Sequence, residues 1–249
     1  MGKYDLFYSL GASCFTASNL KKNKIRITSG PFDWLLHCPF DERINFILND
    51  FKNFLNKEDL AYCGDGEENS YYKNTSNGFY YFHDFSKNRE IFDDEFKHIK
   101  EKYDRRIKRF YDFIRTKKKV LLVWISNSEK LSNETLLQTH KKLVKKFNKE
   151  VSLLVIEGDK NYSSNDVNCE KISPYITKYE MMITDYNEKN PELKKQIDNN
   201  IDKIFANYTL RFNLKYFVQS KWKKFLVNIL CAFIPIKKHR KNLRKRLLK

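Results

Sequence analysis

Apolar positions along the chain fall into two kinds of run. Residues 4–10, 119–125 and 151–156 are short apolar stretches, which predicts buried strands. The last two, Lys-Val-Leu-Leu-Val-Trp-Ile and Val-Ser-Leu-Leu-Val-Ile, lack polar alternation, so central strands covered on both faces are expected. Residues 14–22, 92–117, 133–148 and 191–206 show helical spacing with one polar face, and Ser13 is placed to cap the first of them. Apolar residues at 40, 44, 47, 48, 51 and 55 predict another helix over 40–55. A short strand is expected at 25–30, leading into a turn at Gly30-Pro31, and an aromatic strand at 78–83. The Gly, Asp, Glu, Asn and Ser cluster at 63–78 predicts a loop. The central strand–helix–strand order, with helices on either side, predicts an α/β fold. Its expected form is a layered sandwich with a central, mostly parallel sheet flanked by helices, plus a C-terminal amphipathic basic helix.

Composition adds little until the charge is divided along the chain. The 249 residues are 41% apolar and 32% charged, a balance suited to a folded core. The net charge of +17 is concentrated at one end, because fourteen cations and no acid follow Asp202. The first 202 residues carry 34 bases against 31 acids, which argues against a nucleic-acid-binding body. Two parts are expected: an α/β domain over 1–213 and a basic tail over 214–249. The five cysteines are odd in number and form no CxxC pair, so neither a disulfide framework nor a zinc ribbon is expected. No signal peptide is recognisable at the start, and a reduced, cytoplasmic protein is predicted.

In the tail, Trp222, Phe225, Leu226, Ile229 and Phe233 share one helical face, and Pro235 precedes a cationic run that includes Lys237, Lys238 and Arg240. The apolar portion is too short to span a bilayer. Aromatic and aliphatic residues on one face, with lysines beside them, suit a helix lying in a membrane interface. A neighbouring polybasic run adds attraction to an anionic leaflet, so peripheral association with the inner membrane face is expected.

Three places could carry chemistry. Cys14 follows Ser-Leu-Gly-Ala-Ser at 9–13 and opens a predicted helix, where the dipole and free N–H groups favour a thiolate. Gly11 permits a sharp turn, and Gly11 and Ser13 could line a substrate site beside the thiol. His83-Asp84 closes the aromatic strand, and a histidine there could accept a thiol proton. Neighbours on a strand face opposite ways, so Asp84 is poorly placed to orient His83, and Asp33, Asn127 and Asp159 are alternatives. Pro-Phe-Asp-Trp at 31–34 holds Asp33 between stiff aromatic residues, which suits an orienting or substrate-binding carboxylate beside Trp34. Arg105, Arg106 and Arg109 lie together on a predicted helix and could clamp a phosphate or carboxylate. No metal-ligand spacing, Gly-rich phosphate loop or DxD motif is present, so neither a metal nor a cofactor is predicted.

Ser-Leu-Gly-x-x-Cys at 9–14, Pro-Phe-Asp-Trp at 31–34, His-Asp-Phe at 83–85 and Tyr-x-Arg-Arg-Ile-x-Arg-Phe at 103–110 together resemble a bacterial domain family of unknown function, described as a papain-like cysteine peptidase. The resemblance covers residues 4–160. It implies a Cys14 nucleophile and a His83 base, and an acyl, peptide or glycan-intermediate substrate. The tail is similar to those of glycosyltransferases from capsule and lipooligosaccharide synthesis. That likeness implies an alternative: a transferase or accessory protein of surface-polysaccharide synthesis that binds a sugar-phosphate donor.

Overall fold

The computed structural model describes residues 2–159, 161–163, 165–183 and 190–211. The tail expected over 214–249, with its membrane-facing residues Trp222 to Arg240, lies outside them.

The chain begins with β1 (Gly2–Tyr4) and β2 (Leu6–Ser9), then α1 (Cys14–Lys22). After β3 (Leu35–Leu36) and α2 (Phe40–Leu48) come β4 (Leu60–Asp65), β5 (Asn69–Asn74) and β6 (Tyr80–Ser86). The long helix α3 (Phe92–Thr116) leads to β7 (Val120–Ser126), α4 (Asn133–Phe147) and β8 (Ser152–Gly158). The described chain closes with β9 (Val167–Ser173), β10 (Ile176–Met181), α5 (Pro191–Ala206) and β11 (Tyr208–Leu210).

The central sheet has the order β2-β7-β8-β10-β9, parallel except for the β9–β10 pair. Its middle strands are apolar throughout because both faces are covered. Leu122 and Trp124 of β7 point into one core with α2, α3, α4 and the inner face of a second, antiparallel sheet of order β3-β6-β5-β4. Leu121, Val123 and Ile125 point into the other core with α1 and α5. The expected layered α/β sandwich with a mostly parallel sheet is therefore present. A separate two-stranded pair joins β1 to β11.

Three local expectations are corrected. Residues 25–30 form no strand, because the carboxylate of Asp33 gathers this segment into a turn. Helix α2 stops at Leu48, since Asp50, Phe51 and Asn53 adopt positive φ near 54–57°. Apolar periodicity nevertheless continues, because Phe51, Phe54 and Leu55 are buried in an aromatic cluster with Phe32 and Phe79. The polar stretch 63–78 is largely the β4–β5 hairpin. Tyr62 and Tyr72 pair across its strands, and Tyr72 also packs on Phe85 of β6.

The fold places one candidate edge. Helix α1, which follows β2, covers one face of the sheet, whereas α4, which follows β7, covers the other. β2 and β7 are neighbours, so the chain leaves them in opposite directions at their carboxyl ends. Ligands of open α/β sheets bind outside such a divergence. The loop carrying Cys14 starts there.

Candidate active site

The Cys14 loop is built by short-range bonds. Leu10 N–H donates to Val123 O at 2.8 Å, holding the end of β2 to β7. Gly11 N–H donates to Ser9 Oγ at 3.1 Å. A Cβ on Gly11 would lie 2.8 Å from Ser13 O and 2.6 Å from Thr16 Oγ1, so this turn excludes any larger residue. Ser13 is extended and caps α1, accepting from Phe15 N–H at 3.2 Å. Cys14 is thus the first residue of α1, only 9% exposed, at the helix end whose N–H groups point outward.

Beneath this loop lies an arginine that sequence reasoning missed. Arg43 of α2 is fully buried. Its Nε donates to Cys38 O at 2.9 Å, and its Nη2 reaches Leu35 O at 3.4 Å and Ala12 O at 3.5 Å. The carbonyls of Ala12 and Leu35 therefore lie within about 7 Å of each other. The guanidinium stands over the rings of Phe32, Phe79 and Trp124 at 4.9–5.6 Å. Burial pulls its pKa down to about 10. The visible signal was a basic residue inside the apolar stripe Phe40, Ile44 and Ile47. Burial also pushes the nearby Cys38 thiol up to about 12, which marks Cys38 as a protonated core residue.

Trp34 precedes Leu35, so Arg43 ties the Cys14 loop to the Pro-Phe-Asp-Trp turn. Asp33 is buried at the centre of that turn. Its Oδ2 accepts the N–H of Gly30 at 2.9 Å and pairs with the Arg26 guanidinium. Burial pushes its carboxyl up, against the pull of Arg26, the Gly30 N–H and Arg106. Arg26 also donates to Ser29 Oγ at 2.9 Å and stands 5.5 Å from the centre of the Trp34 ring. Gly30 sits close to β2, because a Cβ there would approach the Tyr8 ring at 3.0 Å and Asp33 Oδ1 at 3.2 Å, tight enough that these side chains would have to give.

The ring of Trp34 meets that of His83 edge-on at 6.2 Å. His83 sits in a bulge of β6. Ser70 pairs with Phe85 and Tyr72 with Tyr81, so Tyr71 alone faces Phe82, His83 and Asp84. Bulges re-aim side chains and recur beside active sites. Here His83 is exposed, while the Asp84 carboxylate is buried against α3. It pairs with Lys102 and accepts the Tyr103 hydroxyl at 2.8 Å. Of the other carboxamide and carboxylate candidates, Asp159 binds Lys130 at 3.0 Å, and Asn127 follows β7 with its backbone against Gly158.

The three arginines separate. Arg105 is exposed and faces Glu101 at 3.9 Å. Arg106 turns inward over the Tyr103 ring at 5.2 Å, and Arg109 Nη2 donates to Ser29 O at 3.4 Å. The structure thus brings together Asp33, Trp34, His83, Arg106 and Arg109, links them to the Cys14 loop through Arg43, and leaves Arg105 on the solvent side. Among the described residues, no group of His, Cys, Asp and Glu could hold a metal ion, and no helix is long and apolar enough to cross a membrane.

A layered α/β domain with a cysteine at the carboxyl edge of its parallel sheet, opening the first sheet-crossing helix, defines the class. The chain belongs to the family described as "Putative papain-like cysteine peptidase (DUF1796)", whose sequence model matches residues 5–161. No curated protein and no solved structure matches it.

Proposed function

We propose that this protein is a thiol-dependent hydrolase or acyl transferase that uses Cys14 as nucleophile and His83 as base on an acyl or amide bond. The observation that supports this most is the position of Cys14 as first residue of α1, tied through Arg43 to the turn that holds Trp34 beside His83. His83 takes the thiol proton, and the sulfur attacks the carbonyl carbon to form a tetrahedral oxyanion. Backbone N–H groups of the first turn of α1, other than the Phe15 N–H that Ser13 holds, are the donors suited to that charge. Collapse expels an amine or alcohol, which receives the proton from His83 and leaves a thioester on Cys14. Water, or an acceptor hydroxyl, then releases the acyl group. Peptides and acylated glycan intermediates are the substrate classes.

The test is the pH dependence of Cys14 alkylation by iodoacetamide, read by peptide mass spectrometry in wild type and His83→Ala. The proposal expects rapid alkylation at neutral pH that the variant loses. Alkylation indifferent to His83 would refute the pair.

The tail over 214–249 supports a second element of the proposal, docking on an anionic membrane surface from the cytoplasmic side. The full chain should sediment with anionic vesicles, and a chain ending at residue 213 should not. Equal sedimentation of both would refute this role.

A further inference from the structure

We propose that Arg106 and Arg109, with the turn spanning residues 26–34, form a receptor for an oxyanion carried by the substrate, a phosphate or a carboxylate. The proposal rests on the reading of Cys14 above and assigns that site its substrate class. It starts from a charge count. Arg26, Lys102, Arg106 and Arg109 gather around two buried carboxylates, Asp33 and Asp84. Each carboxylate is already engaged elsewhere. Asp33 Oδ2 holds Arg26 and the Gly30 N–H, while Asp84 holds Lys102 with one oxygen and the Tyr103 hydroxyl with the other. Arg106 feels the field of Asp33 without a hydrogen bond to it.

Two cations are left over. Arg106 Nη1 and Arg109 Nε are shut off from solvent and lack a hydrogen-bond partner among the described residues. The bond from Arg109 to Ser29 O, at 3.4 Å, is long. Each guanidinium thus keeps one nitrogen buried without an acceptor, which is costly, while the rest of each side chain is partly exposed and open to an incoming anion. Arg106 and Arg109 are three apart on α3 and therefore neighbours on one face. Their planar forks suit the paired oxygens of a phosphate or carboxylate. Arg26, fixed by Asp33 and set against Trp34, gives the cluster a rigid wall. Both arginines remain partly exposed, as does Trp34, and His83 lies beside that ring. An anion held here would sit on the same side of the turn as the candidate base.

The experiment is calorimetric titration of the full chain carrying Cys14→Ser with inorganic phosphate, pyrophosphate and acetate, at one fixed ionic strength. Saturable binding of phosphate or pyrophosphate alone would assign a phosphorylated substrate, and of acetate a carboxylate. Arg106→Ala and Arg109→Ala are each expected to weaken binding at least about tenfold. Arg105→Ala, with the same charge change on the same helix but facing solvent, should stay within about twofold. Arg106→Lys and Arg109→Lys keep the charge and lose the fork, so they also weaken binding if an Ala variant fails to fold. Absence of saturable binding by every probe, or an equal loss in Arg105→Ala, would overturn the proposal. Cys14 alkylation is read without any anion, so failure here is distinguishable from failure of the thiol mechanism.

Discussion

Arg43→Met tests whether one buried cation organises the candidate site. The substitution keeps an unbranched side chain among Phe32, Phe79 and Trp124 while removing the charge and every donor. Removing the charge relieves a real cost. With its pKa held at about 10 instead of 12.5, burying the charged form costs on the order of 3 kcal/mol. Against this stands the 2.9 Å bond to Cys38 O, worth about 1.5–3 kcal/mol for a charged donor. The longer bonds to Leu35 O and Ala12 O add less, and their loss leaves those carbonyls without this donor. Three ring faces contribute about 0.5–2 kcal/mol each. The balance favours the arginine by about 3 kcal/mol, so Arg43→Met should lower Tm by about 6–12 °C in a chain of this size. Scanning calorimetry at pH 7 reads this directly. The same variant should change the rate of Cys14 alkylation in the folded state, since Ala12 and Leu35 are no longer tied. Refutation is a Tm at or above wild type, which would mean that desolvation outweighs the clamp, as it can for buried ions.

Gly158→Ala should destabilise the fold by about 1–3 kcal/mol, because a Cβ would lie 2.8 Å from the Asn127 backbone and 3.0 Å from Ile183; urea unfolding would show it. The thiol of Cys38 is raised from 9.0 to about 12 by burial, so its contribution to stability is fully present below about pH 9 and is lost as pH rises through about 12. Cys38→Ala should therefore flatten the decline of Tm between pH 9 and pH 11, and an unchanged slope would contradict the burial argument.

The sequence announced what depends on local rules and missed what depends on contact. Helices α1 and α5 fall on the expected residues because caps and periodicity bound them, Ser13 and Asn190 being their caps. Strands β7 and β8 were visible as apolar runs because both faces are buried. By contrast, β4 and β5 were hidden in a polar stretch, since β4 lies at a sheet edge and faces water along much of its length. The pair β9 and β10 passed without any prediction, because the exposed Val167–Ser173 strand has no apolar run. Cys14, Asp33 and His83 could be singled out from residue type and motif. The partners of Asp33 and Asp84, namely Arg26, Lys102 and Tyr103, come from tertiary approach and carry no signature in spacing. The division of Arg105 from Arg106 and Arg109 likewise needed the packing of α3 against the turn.

The bulge in β6 turns two adjacent residues into different kinds of test. A regular strand would put His83 on the same face as the buried Tyr81 and Phe85, with Asp84 on the opposite one, but the extra residues press Asp84 against α3 and leave His83 beside Trp34. Asp84 is then a structural anion. Its side chain is 4% exposed and binds Lys102 and Tyr103, so Asp84→Ala leaves a cation and a hydroxyl without their acceptor. A loss of about 1–3 kcal/mol is expected, because the Tyr103 hydroxyl stays buried without this acceptor while Lys102, 26% exposed, can turn to solvent. His83 is exposed and makes its ring contact from the solvent side, so His83→Ala should change stability by no more than about 0.5 kcal/mol. Its effect should fall on the pH profile of Cys14 alkylation instead. Denaturant unfolding and the alkylation profile, measured on both variants, separate the two roles. A destabilised His83→Ala together with an intact Asp84→Ala would reverse the assignment, and with it the inference that the bulge frees His83 for proton transfer.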